Sequence, residues 1–127
     1  MTTGYQAYQS SSVFTATPEQ LVVMLFDGAL RFSRRAAAAW DGGDRPAATA
    51  AVARATAIVN ELNVTLDMEA GGEIAENLRA LYTFMTRHLF EAVRDDDPAK
   101  VREVARMLME LREAFAEAAK TATAKAA

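Results

Sequence analysis

The chain has 127 residues, a formal net charge of −3, 51% hydrophobic residues and no cysteine. This length fits one domain around one core, and the lack of cysteine excludes a disulfide framework, a thiolate nucleophile and a thiolate metal site. The acidic balance argues against nucleic acid as the main partner, and no apolar run approaches the roughly 20 residues that a membrane-spanning helix needs.

Residues 1–16 are predicted to form a flexible N-terminal arm, because they contain no charged side chain and no helical periodicity. The segment has no basic region followed by an apolar core, so it does not resemble a secretory signal. It nevertheless contains Tyr5, Tyr8, Val13 and Phe14, which a purely solvated tail does not need. Two interpretations stay open: a disordered terminus with a few residues packed on the domain, or an arm that occupies a binding groove.

The first helix has a clear start signal. Thr17 is the predicted N-cap, Pro18 is the first helical residue, and Gln20 completes a capping box. The apolar periodicity that follows predicts that the helix continues to about Trp40.

Residues 21–26 of this helix, LVVMLF, are apolar around the whole circumference, whereas a peripheral helix normally has one polar face. Both sides of this turn therefore need cover, either from the N-terminal arm or from a partner, and the two can compete. Gly28 follows shortly afterwards. Because glycine inside a helix costs up to about 1 kcal/mol relative to alanine, it predicts close approach of another backbone.

The second helix is predicted over residues 45–68, with Asp44 as its N-cap and an alanine-rich first half that permits close packing. Gly71 and Gly72 predict the next corner, since glycine readily adopts the positive φ at which a helix ends. The third helix is predicted over residues 73–94, where apolar residues recur at three- and four-residue steps.

Asp97 and Pro98 predict the N-cap and first residue of a fourth helix, with apolar side chains at core spacing as far as Phe115. Residues 120–127 are predicted to fray. Four helices joined by short corners predict an all-α fold, an antiparallel up-down-up-down four-helix bundle over residues 17–119.

No catalytic, metal or cofactor site is predicted. A di-metal carboxylate site in a four-helix bundle needs two Glu-x-x-His motifs, and His88 is the single histidine. The paired glycines at 42–43 and 71–72 follow no strand, so they do not form a phosphate-binding loop. The acidic run at residues 95–97 fits a solvated, capping corner better than a cation site. These patterns indicate a binding protein and not an enzyme.

Three polar residues near the predicted corner at Gly71 and Gly72 can be interpreted either as structural or as partner-binding. We interpret Asp67 as structural, either capping a backbone group or pairing with an arginine. Asn77 and Tyr82 are interpreted as functional, because their polar groups can hydrogen-bond the backbone of an incoming segment.

Two stretches resemble the FliS family of flagellar secretion chaperones, TPEQLVVMLFDGALRF at residues 17–32 and LDMEAGGEIAENLRALY at residues 66–82. The resemblance extends from about Tyr8 to Phe115. It implies a small helical bundle in the bacterial cytoplasm that binds the disordered C-terminal segment of flagellin. It also implies that the protein keeps flagellin monomeric and delivers it to the flagellar type III export gate, where the membrane protein FlhA is the docking partner.

The resemblance further implies a flagellin groove over which the N-terminal arm can lie. The predicted flagellin-binding residues are Tyr8, Val13, Leu21, Met24, Leu25, Gly28, Ile74, Asn77, Leu78, Leu81, Tyr82 and Met85. On the first helix, Val22, Phe26 and Ala29 are assigned to the core instead. Phe26 and Phe115 stand where the family usually has tyrosine and tryptophan, so each keeps an aromatic ring without its polar group.

The leading hypothesis is therefore a flagellin chaperone that is a monomer or a weak oligomer. The main alternative is a structural bundle that self-associates through the surface of the first helix. A third interpretation, a metal-dependent hydrolase, predicts metal bound to the purified protein.

Overall fold

The computed structural model describes residues 16–126, with side chains as far as residue 122, and this part of the chain is helical apart from short corners. The helices are α1 (Pro18–Asp41), α2 (Arg45–Val64), α3 (Met68–Arg94) and α4 (Pro98–Ala126). The described residues contain no strand. The predicted all-α class and the number of helices are therefore confirmed.

The N-terminus of α1 forms the predicted capping box. The Thr17 hydroxyl accepts a hydrogen bond from the Gln20 N–H at 3.1 Å, and the Gln20 side chain accepts one from the Thr17 N–H at 2.9 Å. At the start of α2, the side chain of Asp44 alone caps the helix by accepting a backbone hydrogen bond. At the start of α4, the Asp97 carboxylate accepts a hydrogen bond from the Ala99 N–H at 3.2 Å. These side chains fix three of the four helix starts where the sequence places them.

The corner between α2 and α3 lies earlier than predicted. Helix α2 ends at Val64 rather than at residue 68, and α3 begins at Met68. Asp67 is the reason, because its carboxylate accepts hydrogen bonds from the N–H groups two and three residues later and so starts a new helix. Gly72 lies after that corner. It has the predicted positive φ, 51°, and with ψ −128° it interrupts the helical backbone and forms a kink inside α3. The structural interpretation of Asp67 is correct.

The helices pack so that α1 lies between α2 and α4, and α3 lies between the same two helices on the opposite side. Helices α1 and α4 are antiparallel, since Arg112 donates to Asp27 at 2.8 Å near one end and Arg102 donates to Asp41 near the other. The up-down-up-down order of all four helices remains a prediction.

The core contains an aromatic cluster of Phe26, Tyr82 and Phe115. The Phe26 ring centroid lies 6.3 Å from that of Tyr82 and 5.1 Å from that of Phe115. The aliphatic part of the core is built from one stripe of each helix, including Ala29, Leu30, Val52, Val59, Leu62, Met85, Leu89, Val101, Val104 and Leu108. The assignment of Phe26 and Ala29 to the core is confirmed, and Val22 packs against the same cluster.

Helix α4 continues to Ala126, into the segment for which fraying stays a prediction. Ala119 is buried, and the Thr121 hydroxyl donates a hydrogen bond to the Glu117 carbonyl at 3.2 Å. The segment KTATAKA is rich in alanine, the residue with the highest helix propensity, and this composition sustains the last turns.

Candidate functional site

The predicted binding residues of the first and third helices lie on two different surfaces. We call the first the α1–α2 face; it consists of Leu21, Leu25, Gly28 and Phe32 of α1 beside Ile58 of α2. The second, the α3–α4 face, consists of Ile74, Asn77, Leu81, Phe84 and His88 of α3. Because α1 and α3 stand on opposite sides of the bundle, these faces do too. The predicted flagellin-binding residues of the first and third helices therefore lie on two separate apolar tracks.

The α1–α2 face is partly covered by its own neighbours. Leu25 and Phe32 are half-buried and pack against the core, and Leu21 is also half-buried. Gly28 is buried, and a Cβ atom at this position would stand 3.1 Å from Ile58 Cδ1. The predicted close approach is thus real, but a side chain makes it and not a backbone. Gly28 consequently belongs to the contact between α1 and α2 and does not line an open surface.

The α3–α4 face is more exposed. Ile74 is 72% exposed, Leu81 and Phe84 are also exposed, and Asn77 is exposed between them. These residues recur at three- and four-residue steps and so form one stripe along the helix. His88 continues this stripe and stacks on the Phe84 ring at 4.7 Å between centroids.

The C-terminal end of this stripe is joined to α4 by polar contacts. His88 Nε2 lies 2.8 Å from Glu103 Oε2, and Lys100 donates a hydrogen bond to Glu91 at 2.8 Å. The hydrogen bond from Lys100 holds the pKa of Glu91 below its usual value. These contacts show that the stripe faces the α4 side of the helix, and they mark the end at which the apolar track stops.

Two predicted binding residues on α3 belong to the core. Tyr82 is 2% exposed and Met85 is fully buried. Burial raises the pKa of Tyr82 to about 12, because the ionised phenolate would lose its hydration. The Tyr82 ring packs against Phe26 inside the core, so the free protein offers almost no surface there, and the binding role of Tyr82 stays a prediction. Leu78 is half-buried against the same core, whereas Asn77 is available to a partner.

The remaining predicted residues do not join either face. Met24 is exposed on α1, with 43% of its surface accessible, on the side of the helix away from the core. Tyr8 and Val13 lie outside the described residues, so their predicted role in the groove stays a prediction.

Sequence reasoning missed Phe84 on the α3–α4 face and the arginines around Phe32 on the α1–α2 face. Phe84 lies three residues after Leu81 and four before His88, a spacing that identifies it as part of the same stripe. The arginines are visible as RFSRR at residues 31–35, but their convergence on one ring with an arginine of α2 depends on how the helices pack.

The described residues contain no group of acidic or histidine side chains arranged to hold a metal ion. Within the same part of the chain, no helix is long and apolar enough to cross a membrane. A cleft of about 290 Å³ lies between α1 and α4, lined by Ser33, Arg34, Ala37, Arg102, Ala105, Arg106 and Met109. Ser33 in its wall donates its hydroxyl to the Ala29 carbonyl at 2.8 Å, which marks it as structural rather than nucleophilic.

Comparison of the sequence with known proteins matches the chain to one family. The family model described as flagellar protein FliS matches residues 1–122. The flagellar secretion chaperone FliS of Salmonella typhimurium is 40% identical over 117 residues, covering 88% of this chain and 87% of that protein. The protein of the same name from Bacillus subtilis is 36% identical over 114 residues, covering 90% and 84%. That of Escherichia coli is 35% identical over 119 residues, covering 90% and 88%.

Proposed function

The chain belongs to the FliS family of flagellar proteins, as its sequence resemblance predicts, and we propose that it is an export chaperone for flagellin. Its relatives bear the name flagellar secretion chaperone, which supports a role in flagellar export. We further propose that it binds the disordered C-terminal segment of flagellin in the bacterial cytoplasm and prevents premature polymerisation. It would then deliver flagellin to the type III export gate, where FlhA is the docking partner.

The observation that carries this proposal is the pair of apolar tracks on opposite sides of the bundle. One short helix cannot cover both, because α1 and α3 are separated by the core. A long segment that wraps around the bundle can do so. Disordered segments suit such a task, since they can cover large surfaces and fold as they bind.

The α3–α4 face is suited to an amphipathic helix of the client. Ile74, Leu81 and Phe84 are spaced as anchors for a helix that presents apolar residues at three- and four-residue steps. Asn77 lies among them and can hydrogen-bond polar groups of the client at the margin. Ordering the client costs about 2–5 kcal/mol of the gross interaction, which keeps a large interface releasable at the export gate.

The α1–α2 face supplies the second contact. Leu21 and Leu25 are half-buried, so they provide a shallower apolar surface than the exposed residues of α3. If residues 1–16 cover this surface in the free protein, the client must displace them. Deletion of those residues would then strengthen client binding.

The proposal can be tested by calorimetric titration with two forms of flagellin, one full-length and one lacking its C-terminal segment. We expect the full-length form to bind and the truncated form to bind at least a hundredfold more weakly, because the wrapped interface is lost. Equal affinities would contradict the proposal. Light scattering of the free protein tests the alternative of self-association, which predicts a stable oligomer that flagellin does not dissociate.

A further inference from the structure

The α1–α2 face contains an aromatic ring surrounded by positive charge. The Phe32 ring is half-buried, and the guanidinium carbons of Arg31, Arg35 and Arg54 lie 5.3, 5.1 and 6.0 Å from its centroid. The first two arginines belong to α1 and the third to α2. We call these three side chains the arginine cluster.

The arginine cluster has no anionic partner within the part of the chain that the structure describes. No described carboxylate lies within 4.0 Å of any of its members, whereas Arg102 and Arg112 elsewhere on the surface each pair with an aspartate of α1. Arg31 and Arg35 stand four residues apart on one helix, a spacing at which like charges repel each other. The cation–π contacts with Phe32 attract each arginine only weakly at an exposed site. The cluster is therefore poorly explained by the stability of the bundle alone.

We propose that the arginine cluster binds carboxylate side chains of the flagellin segment, an inference that rests on the proposed function. Guanidinium groups form paired, charge-assisted hydrogen bonds with carboxylates. All three guanidinium groups lie around one ring, so one client segment can reach them together. The cluster is continuous with the apolar surface of Leu21 and Leu25, which lies about two to three turns earlier on the same side of α1. The site selects a client segment in which acidic residues lie beside an apolar stretch.

Other occupants fit this site less well. Residues 1–15 of the chain contain neither aspartate nor glutamate, so they cannot neutralise the arginines. Binding to a nucleic acid backbone relies on a row of cations, and the chain has an excess of three negative charges. An acidic protein segment needs only the local cluster and also uses the adjacent apolar surface.

The test compares two double variants in titrations with a peptide of the flagellin C-terminal segment. The variant Arg35→Gln/Arg54→Gln removes two members of the arginine cluster. The control Arg79→Gln/Arg87→Gln removes two exposed arginines of α3 that also lack a described carboxylate partner. We expect the cluster variant to bind about tenfold more weakly and to lose most of the salt dependence of binding, because charge pairs are screened by salt. The control should bind like the wild type.

A peptide whose carboxylates are replaced by amides provides the second half of a double-mutant cycle. It should lose about the same affinity for the wild-type protein and lose little more for the cluster variant. If the cluster variant binds the unmodified peptide with wild-type affinity, the inference is wrong while the proposed function stands. If the wild type does not bind the peptide at all, the proposed function fails and the inference falls with it.

Two further measurements identify a different occupant. Binding of a labelled 20-nucleotide single strand by the wild type, lost in the cluster variant, would overturn the inference in favour of nucleic acid. A wild-type dimer in light scattering that the cluster variant lacks, with unchanged affinity for the peptide, would overturn it in favour of a second copy of this chain.

Discussion

The two ends of the bundle are held together in different ways. At the closed end, which contains the corners at residues 41–44 and 95–97, polar contacts join these two corners. The Trp40 indole N–H donates to Asp96 at 2.8 Å, and the guanidinium of Arg45 lies 3.6 Å from the same carboxylate. A single aspartate thus ties the end of α1 and the start of α2 to the corner between α3 and α4.

The open end contains the corner between α2 and α3 and the first turns of α1. It is held mainly by apolar packing, with Phe26, Tyr82 and Phe115 in contact inside. Outside this cluster, Val64 and Ile74 are 77% and 72% exposed. Apolar side chains are therefore exposed at the end where apolar packing, rather than a polar contact between two corners, holds the helices together.

This difference in contacts indicates that the two ends have different roles. The closed end fixes how the helices are connected, and the open end exposes apolar side chains that a partner covers under the proposed function. Phe90 is an exposed aromatic residue near the closed end, and its ring, unlike Val64 and Ile74, has a charged neighbour: the Arg94 guanidinium lies 6.0 Å from the ring centroid. The comparison predicts that substitutions at the core, at the corners and on the faces affect stability by clearly different amounts.

Phe26→Ala should have the largest effect on stability. Phe26 is fully buried between two aromatic rings, so its removal leaves a cavity and should lower the free energy of unfolding by about 3–5 kcal/mol. The matched control is Phe90→Ala, which removes a ring that is 65% exposed and should change the free energy by less than about 0.5 kcal/mol. Urea unfolding of both variants measures the difference. Similar midpoints would show that the aromatic cluster does not hold the open end.

High pH should weaken the open end through Tyr82. Burial raises the pKa of Tyr82 to about 12, above the ordinary value of about 10 in the unfolded chain. The neutral phenol therefore favours the folded state below pH 10, and this contribution is lost as pH rises from 10 to 12, by about 2–3 kcal/mol.

Tyr82→Phe should remove that part of the alkaline loss, because phenylalanine does not ionise. Unfolding by urea between pH 9 and pH 11.5 compares the slopes for wild type and variant. Equal slopes would mean that the Tyr82 hydroxyl is accessible to water in the folded protein.

Substitution of Asp96 should have an intermediate effect at the closed end. Asp96 has a φ of 53°, a left-handed conformation that glycine adopts without steric cost and alanine does not. Asp96→Ala should lower stability by about 1–2 kcal/mol, because it removes the acceptor for Trp40 and keeps the unfavourable φ. Asp96→Gly loses the same acceptor but relieves the backbone, and should be more stable than the alanine variant by about 0.5–1 kcal/mol. Thermal melts that rank alanine above glycine would contradict this account of the corner.

Helix starts and the composition of the core could be predicted from the sequence because both are local properties. The capping residues Thr17, Asp44 and Asp97 act on backbone groups two or three positions away. Spacing together with the family resemblance assigns Phe26 and Ala29 to the core, where both are buried. The corner between α2 and α3 was predicted too late, since a pair of glycines is a stronger pattern than one capping aspartate. Only the backbone geometry shows that Gly72 kinks a helix instead of ending it.

The exposure of the predicted binding residues does not follow from the sequence, because it depends on which helices are neighbours. The stripe of Leu21, Leu25 and Gly28 is apolar enough for a groove, yet Ile58 of α2 closes over the glycine. Leu25 also packs against the core, so a charged residue there would destabilise the fold as well as block a partner. Tyr82 has a polar group that suits binding, but the register of α3 turns it inward. These outcomes are set by packing between helices and not by any pattern within one helix.

Ile74→Ser should have the smallest effect on stability and a large effect on binding. The side chain is 72% exposed, so the free energy of unfolding should change by less than about 0.5 kcal/mol. A client helix on the α3–α4 face would bury this side chain, and its loss should cost about 1.5–3 kcal/mol, a weakening of at least roughly tenfold. Val64→Ser is the matched control, because Val64 is equally exposed at the same end but belongs to α2. Titration with full-length flagellin, together with urea unfolding, separates the two effects. Equal weakening by both variants would show that the client covers the whole open end, and a loss of stability in Ile74→Ser would show that this residue supports the kink after Gly72 and not a partner.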